Sequence, residues 1–309
     1  MILKDYISIA RPDHWIKNLF IVPGIVFASI MTKTDISYYW IQIIIGILSV
    51  CSVSSANYVM NEWMDAEFDK YHPVKKNRPS VVGDLKIVLV YSEYIVLVLI
   101  GLSFAYFISN LFLLMSILLL VMGFLYNIRP FRTKDRVYID ILSESINNPI
   151  RLMLGWFIVT NIFIPPVSLV LCYWMGGAFL MGVKRFSEFR FINNSIQAGL
   201  YRKSFKKYTE KSLLISSCLY AFLSIFFATI FLIKYRIEFL LMIPFIAGLF
   251  CWYLSIGMND NSSAQHPEYL YKERKLLIYC LFLIVFFIAL LYIDIPVLHT
   301  LLNPDLIQL

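Results

Sequence analysis

Residues 37–69 read SYYWIQIIIGILSVCSVSSANYVMNEWMDAEFD, an apolar run followed by a short polar stretch. Residues 37–60 carry no charged side chain and are long enough for one α-helix to cross the hydrocarbon core of a bilayer. Asn61, Asp65 and Asp69 then recur every four residues, which places their side chains on one face of the same helix. The segment predicts a membrane-spanning helix that presents oxygen ligands where it leaves the bilayer.

The rest of the chain has the composition of a membrane protein. Of its 309 residues, 60% are hydrophobic and 15% are charged, and the mean hydropathy is +0.72. A soluble domain carries about 25% charged residues, so the composition excludes a water-soluble globule. Nine apolar runs of spanning length lie near 14–32, 37–60, 86–108, 111–127, 137–160, 165–183, 212–233, 237–257 and 275–293. We therefore predict an all-α polytopic membrane protein with about nine transmembrane helices, in one integral membrane domain over residues 1–309.

The basic residues are distributed unevenly between the two sides of these predicted helices. Of the 27 Lys and Arg, 23 fall in five segments that share one side, namely 1–17, 61–86, 128–136, 184–211 and 258–275. The positive-inside rule predicts that the N-terminus and these loops are cytoplasmic, in the cell (inner) membrane. Anionic membrane lipid accounts for the net charge of +7, so we predict no nucleic-acid partner. The sequence does not indicate an oligomeric state.

The polar face at residues 61–69 suits a hard divalent cation. Mg²⁺ prefers carboxylate oxygens and keeps water and substrate phosphates as its other ligands. Asp65 and Asp69, supported by the amide of Asn61, therefore predict a Mg²⁺ site. The alternative interpretation is an acidic helix end that dips into solvent.

The loop after this helix is basic. Within nine residues of Asp69 the chain carries Lys70, His72, Lys75, Lys76 and Arg78. Cations that bind phosphate oxygens, next to carboxylates that hold a metal, predict a diphosphate site. The alternative is a basic loop that only sets the membrane orientation. His72 precedes Pro73, which indicates a turn, and we assign it no catalytic role.

A second polar cluster lies inside the fifth predicted span, where Asp140, Glu144, Asn147 and Arg151 share a helix face. An ionisable residue in a bilayer usually faces a cavity and has a function. Arg151 either forms an internal ion pair with Glu144 or Asp140, or anchors an anionic substrate group.

Further charges follow the sixth span, at Lys184, Arg185, Glu188 and Arg202. Lys184 and Glu188 are four residues apart, so they could form an ordinary surface pair. Alternatively, Lys184 and Arg185 orient an anionic acceptor.

These motifs resemble a known family. The stretch from Asn61 to Asp69 looks like the N-D-x-x-D-x-x-x-D signature of the UbiA-type intramembrane prenyltransferase superfamily, with Glu62 at the position of the first Asp. More closely, residues 11–275 resemble the decaprenyl-phosphate phosphoribosyltransferase branch. The matches are Arg11 to Asn18, Tyr58 to Asp69, His72-Pro73, Lys75, Arg78-Pro79, Lys134, Asp140, Arg151-x-x-x-Gly155, Lys184-Arg185 with Glu188, Arg202 to Thr209, and Pro267-Glu268.

The branch resemblance implies a UbiA-like bundle with a central cavity open to the cytoplasm. It implies Mg²⁺-dependent transfer of a 5-phosphoribosyl group from 5-phosphoribosyl 1-diphosphate to a polyprenyl phosphate, with release of pyrophosphate. Asp65 and Asp69 are the expected catalytic residues, and both bind the metal together with Asn61. The expected donor-binding residues are Lys17, Tyr58, Asn61, Lys75, Arg78 and Lys134. The expected lipid-phosphate residues are Arg151, Lys184, Arg185, Glu188 and Arg202.

Two departures from the superfamily pattern matter. Glu62 keeps the negative charge of the usual Asp on a longer arm, so we expect it to be tolerated. The second Asp-rich loop of the aromatic prenyltransferases is absent, and Lys184-Arg185-x-x-Glu188 occupies that region. We therefore favour the sugar-phosphate donor over two alternatives: transfer of a polyprenyl group from its diphosphate to an aromatic acceptor such as 4-hydroxybenzoate, and a non-enzymatic transporter.

Overall fold

The computed structural model describes residues 2–259, 262–265, 270 and 272–301, and within these ranges every regular element is helical. The α-helices are α1 (Ile2–Ala10), α2 (Val22–Thr32), α3 (Trp40–Asp69), α4 (Pro79–Val82), α5 (Ile87–Ile108), α6 (Asn110–Asn127), α7 (Ile139–Ser145), α8 (Asn147–Val159), α9 (Val167–Ile192), α10 (Ser195–Tyr201), α11 (Glu210–Tyr235), α12 (Ile243–Gly257), α13 (Arg274–Tyr292) and α14 (Pro296–Leu301). Short 3₁₀ turns connect them, of which Pro12–Ile21, Lys75–Asn77 and Lys203–Lys206 border the site described below.

Eight helical segments in the described ranges are long and apolar enough to cross a bilayer. They are Lys4–Thr32, Ile36–Asp69, Ile87–Ile108, Asn110–Asn127, Val167–Ile192, Glu210–Tyr235, Ile237–Gly257 and Arg274–Tyr292. The chain is therefore an all-α integral membrane protein, as predicted. The predicted count of about nine is not confirmed, since the described ranges hold eight such segments. That residues 1–309 form one domain, and that a cavity opens on the cytoplasmic side, stay predictions.

The fifth predicted span differs from the expectation of one continuous helix. Residues 139–159 form two short helices, α7 and α8, which meet at Ile146. Pro149 explains the interruption, because it has no N–H to donate to the carbonyl of Ser145 and its ring crowds that carbonyl. The charged residues of this span are consequently divided between two helices.

Two glycines bring α8 into close contact with the N-terminal region. A Cβ on Gly24 would lie 2.0 Å from the carbonyl oxygen of Leu152, and a Cβ on Gly155 would lie 2.0 Å from that of Ile21. Any larger residue at either position would force the backbones apart. This contact places Arg151 beside Asn18 and fixes one wall of the candidate site.

Candidate active site

Asn61, Asp65 and Asp69 lie on one face of α3 and are called the ladder below. The loop that follows α6 contacts the first two of them. Asp65 Oδ1 accepts hydrogen bonds from Arg132 Nη2 at 2.9 Å and from Lys134 Nζ at 2.5 Å. Asn61 Nδ2 donates to Asn127 Oδ1 at 2.6 Å, and Lys134 Nζ donates to the same oxygen at 2.7 Å. The structure thus brings together Asn61, Asp65 and Lys134 from two parts of the sequence.

Lys134 is a buried cation. Its side chain is 4% exposed, and burial lowers the pKa of Lys134 to about 8, although the Asp65 carboxylate favours the charged form. An ammonium in this position is desolvated before any ligand arrives. It is therefore available to a phosphate oxygen at little further desolvation cost.

The ladder retains free oxygen atoms that fit a hard cation. Each of these three side chains forms its hydrogen bonds through one polar atom only. Among the described residues none donates to the second atom, which is Asn61 Oδ1, Asp65 Oδ2 or Asp69 Oδ1. No group of three or more His, Cys, Asp and Glu is assembled in the described ranges. Two carboxylates and one amide suit Mg²⁺, which takes its remaining ligands from water and substrate phosphate.

Asp69 and Arg78 join the helix end to the basic loop. Arg78 Nη1 donates to Asp69 Oδ2 at 2.5 Å, and the side chain of Asp69 is 2% exposed. Burial alone would lower the pKa of Arg78, but the carboxylates of Asp69 and Glu62 outweigh it, so the pKa is raised. Arg78 is therefore a permanent cation at the rim of the ladder.

Lys75 extends from the same loop to α9. Its ammonium donates to Glu188 of α9 and to the hydroxyl of Tyr201 in α10. Tyr201 in turn donates to Glu188 Oε1 at 3.0 Å. The predicted surface pair of Glu188 with Lys184 is therefore wrong: Glu188 points inward, where it meets the loop after α3 and Arg185, whose Nη1 donates to it at 3.1 Å.

The two carboxylates of α7, Asp140 and Glu144, contact arginines of α9 and of the segment after α10. Glu144 accepts a hydrogen bond from Arg185 Nη2 at 2.6 Å. Asp140 is fully buried and accepts from Tyr208 at 2.7 Å, and it lies 3.5 Å from Arg202. Of the two alternatives for Arg151, the ion pair with Asp140 or Glu144 is not formed among the described residues, because Arg185 and Arg202 take these carboxylates.

Arg151 and Lys184 have no carboxylate partner among the described residues. Arg151, 9% exposed, donates from Nε to Asn18 Oδ1 at 3.1 Å and from Nη1 to the carbonyl of Asn147 at 3.5 Å. Lys184 is half-buried and makes no hydrogen bond or ion pair there. Arg151 and Lys184 are thus interior basic residues that form no ion pair with a carboxylate of the described chain.

The remaining donor-binding candidates lie at the N-terminal wall. Lys17 Nζ is 3.2 Å from Nδ1 of His14, and the His14 ring meets the ring of Tyr58 edge-on at 5.2 Å. Tyr58 is on α3, one turn before Asn61. Tyr58 therefore links this N-terminal wall to the helix that carries the ladder.

Glu62, the departure from the signature, faces away from the ladder. It is 2% exposed, and its Oε2 accepts from Arg11 Nη2 at 2.5 Å. Ser80 approaches its other oxygen at 3.4 Å. The longer arm of Glu therefore ties the N-terminal segment and α4 to α3.

Several residues of the cluster were not singled out from the sequence. They include Arg132, Asn127, Tyr201 and Tyr126, whose hydroxyl donates to Glu144 Oε2 at 2.6 Å. Asn127 was recognisable as a polar group at the end of an apolar run, whereas Arg132 looked like any other loop cation. Pro267 and Glu268, two of the family-like positions, lie outside the described residues.

Comparison with known proteins agrees with this architecture. Residues 21–281 match the sequence model of the UbiA prenyltransferase family. The decaprenyl-phosphate phosphoribosyltransferase of Mycobacterium tuberculosis is 26% identical over 68% of this chain and 67% of its own length. The corresponding enzyme of Mycolicibacterium smegmatis is 24% identical over 69% of this chain and 65% of its own length.

A solved structure has the same fold. The UbiA homolog from Archaeoglobus fulgidus bound to GPP and Mg²⁺ superposes with a TM-score of 0.68, covering 94% of this chain and 100% of that one. Its sequence identity is 18%, so the likeness establishes the helical architecture.

Proposed function

Because the chain belongs to the UbiA prenyltransferase family, we propose that it is a transferase that moves a 5-phosphoribosyl group from 5-phosphoribosyl 1-diphosphate to a polyprenyl phosphate. The observation that carries the proposal is the pair of interior cations, Arg151 and Lys184, which lack a carboxylate partner among the described residues. Two cations match the dianion of a phosphate monoester better than the monoanion of an aromatic acid. The names of the two mycobacterial relatives point to the same reaction.

The diphosphate of the donor binds at the end of α3. Asn61, Asp65 and Asp69 would hold Mg²⁺, and the metal would supply positive charge that offsets the charge on the departing pyrophosphate. Lys75 and Arg78 bind the diphosphate oxygens, for which they exchange part of their contact with Glu188 and Asp69. The homolog solved with Mg²⁺ supports this choice of metal.

The ribose and its 5-phosphate lie toward the N-terminal wall. Lys17, Tyr58 and Lys134 border that side of the ladder, and the two ammonium groups bind the 5-phosphate. The anomeric carbon is then held between the metal-bound diphosphate and the interior of the bundle.

The acceptor phosphate approaches from the interior. Arg151 and Lys184 orient it, while Arg185, Glu188 and Arg202 form the ion-paired wall behind them. A phosphate monoester is already an anion at neutral pH, so no general base is needed. One of its oxygens bonds to the anomeric carbon as the bond from that carbon to the diphosphate breaks, through an oxocarbenium-like state.

The two substrates arrive from different phases. The loops that carry Lys75, Arg78 and Lys134 are rich in basic residues and face the cytoplasm of the inner membrane by the positive-inside rule. The soluble sugar diphosphate enters from that side. The polyprenyl tail stays between helices in the bilayer.

A two-mixture assay tests the proposal. Purified protein in detergent with Mg²⁺ receives 5-phosphoribosyl 1-diphosphate plus a polyprenyl phosphate, or a polyprenyl diphosphate plus 4-hydroxybenzoate. We expect a new lipid product only in the first mixture. A product in the second mixture alone would assign the chain to aromatic prenyl transfer.

A further inference from the structure

His72 caps the turn that carries Lys75. It is 4% exposed, and its Nδ1 accepts hydrogen bonds from the backbone N–H groups of Val74 at 3.1 Å and Lys75 at 3.2 Å. These two donors open the 3₁₀ turn Lys75–Asn77 and are not bonded elsewhere in the described chain. A side-chain acceptor at such a position fixes the local backbone as a helix N-cap does.

The other faces of the imidazole are packed against α9 and α10. The centroid of the His72 ring lies 4.7 Å from that of Tyr201, with the rings edge-on. It lies 6.4 Å from the centroid of Phe191, with the rings stacked. Nε2 is 3.6 Å from Glu188 Oε1, which is beyond a normal hydrogen bond. Because Nδ1 is the acceptor, the neutral ring carries its proton on Nε2, toward Glu188.

The charged surroundings are compatible with the neutral ring. Burial is the main influence and lowers the pKa of His72; Lys75 acts in the same direction, and Glu188 and Asp69 oppose both. The two backbone N–H groups at Nδ1 themselves show that the ring is an acceptor. Within the described residues its surroundings are the loop backbone, the rings of Tyr201 and Phe191, and the carboxylate of Glu188 at 3.6 Å.

We propose that His72 is a positioning residue for diphosphate binding: it holds the backbone at residues 74–75 so that the ammonium of Lys75 stays beside Glu188 and Tyr201, in the loop that also carries Arg78. It acts through Lys75 and does not touch the reacting atoms. The inference rests on the proposed function only in requiring that a diphosphate binds at Lys75 and Arg78, and it applies to any diphosphate donor.

Three variants distinguish the hydrogen bonds that His72 Nδ1 accepts from the space that its ring fills. In H72N the amide oxygen replaces Nδ1 and can still accept from the loop. In H72Q the amide reaches the place of Nε2, and H72L fills the space without any acceptor. K76Q removes a neighbouring exposed cation and is the matched control. The full-length protein in detergent is titrated with inorganic pyrophosphate and Mg²⁺, and thermal unfolding confirms that each variant is folded.

We expect H72N to bind pyrophosphate within about threefold of the unmodified protein, and H72Q and H72L to bind at least about tenfold more weakly, since one buried hydrogen bond is worth about 1.4 kcal/mol. Unchanged affinity in H72L, or equal losses in H72N and H72L, would overturn the inference.

The donor assay keeps this inference separate from the proposed function. If the protein shows the His72 pattern with pyrophosphate but turns over only a prenyl diphosphate, the positioning role stands and phosphoribosyl transfer fails. If it transfers the phosphoribosyl group and H72L retains full pyrophosphate affinity, the positioning role fails alone. Absence of pyrophosphate binding to the unmodified protein would contradict both.

Discussion

The ammonium of Lys75 donates a hydrogen bond to the carboxylate of Glu188, a residue 113 positions further along the chain. This contact closes the loop after α3 onto α9. It also supplies a provisional counter-ion for a cation that the proposed function assigns to the donor diphosphate. Burial lowers the pKa of Lys75, and Glu188 counteracts the shift. Within that balance the Glu188 carboxylate favours the charged form of the lysine, which is the form that binds phosphate.

Replacement of Lys75 should weaken donor binding. In K75Q we expect the KM for the sugar diphosphate to rise about tenfold or more, because a charge-assisted hydrogen bond contributes about 1.5–3 kcal/mol. K76Q, which alters an exposed lysine in the same loop, should leave it unchanged. Steady-state kinetics on both variants make the comparison. Equal effects would mean that the loop contributes only its general positive charge.

Replacement of Asp65 should abolish the effect of Mg²⁺. D65N loses the free carboxylate oxygen of the ladder and keeps the side-chain volume, so we expect pyrophosphate binding to become insensitive to Mg²⁺ and turnover to be lost. E67Q is the control, because Glu67 lies on the same helix but pairs with Arg129 at the exposed surface. A D65N protein with near-normal, Mg²⁺-dependent turnover would remove Asp65 from the metal site.

Replacement of the interior cations should affect the acceptor. In R151Q and K184Q we expect the KM for polyprenyl phosphate to rise about tenfold, with a smaller change for the sugar diphosphate. K207Q tests for a general effect of positive charge, since Lys207 is an exposed lysine on the same side of the bundle. If R151Q and K184Q instead raise the donor KM alone, these cations bind the ribose 5-phosphate.

Loss of the Glu62 carboxylate should affect stability more than function. E62Q leaves the Arg11 guanidinium without its buried counter-ion, and we expect the free energy of unfolding to fall by about 3–5 kcal/mol. E62D keeps the charge and should lose less. Donor KM should change less than about threefold in both variants, because Glu62 does not contact the ladder. A large rise in donor KM for E62D, with normal thermal unfolding, would contradict this assignment.

The sequence predicts the spanning helices well because a bilayer imposes length and hydropathy on each one separately. The ladder of α3 was predictable for a similar reason: the four-residue spacing of Asn61, Asp65 and Asp69 is a property of one helix. The interruption at Ile146 was less evident, although Pro149 is its physical cause.

Contacts between helices could not be predicted in this way. Glu188 was within reach of Lys184 along its own helix, yet the fold offers it Lys75 and Arg185 instead. Arg151 was close in sequence to Glu144, but α7 packs against α9, and Arg185 of α9 takes that carboxylate. Partner choice in a bundle depends on which helices pack together, and spacing within one helix does not contain that information.

The central claim is that the group transferred is phosphoribosyl, and two positions of label test it most directly. The protein, with Mg²⁺ and a polyprenyl phosphate, receives sugar diphosphate labelled either in the 5-phosphate or in the terminal phosphate of the diphosphate, and lipid and water phases are counted separately. The account predicts 5-phosphate label in the lipid, terminal label in released pyrophosphate, and no product when the free polyprenol replaces its phosphate. Terminal label in the lipid, or an aqueous phase that retains all of the 5-phosphate label, would contradict it.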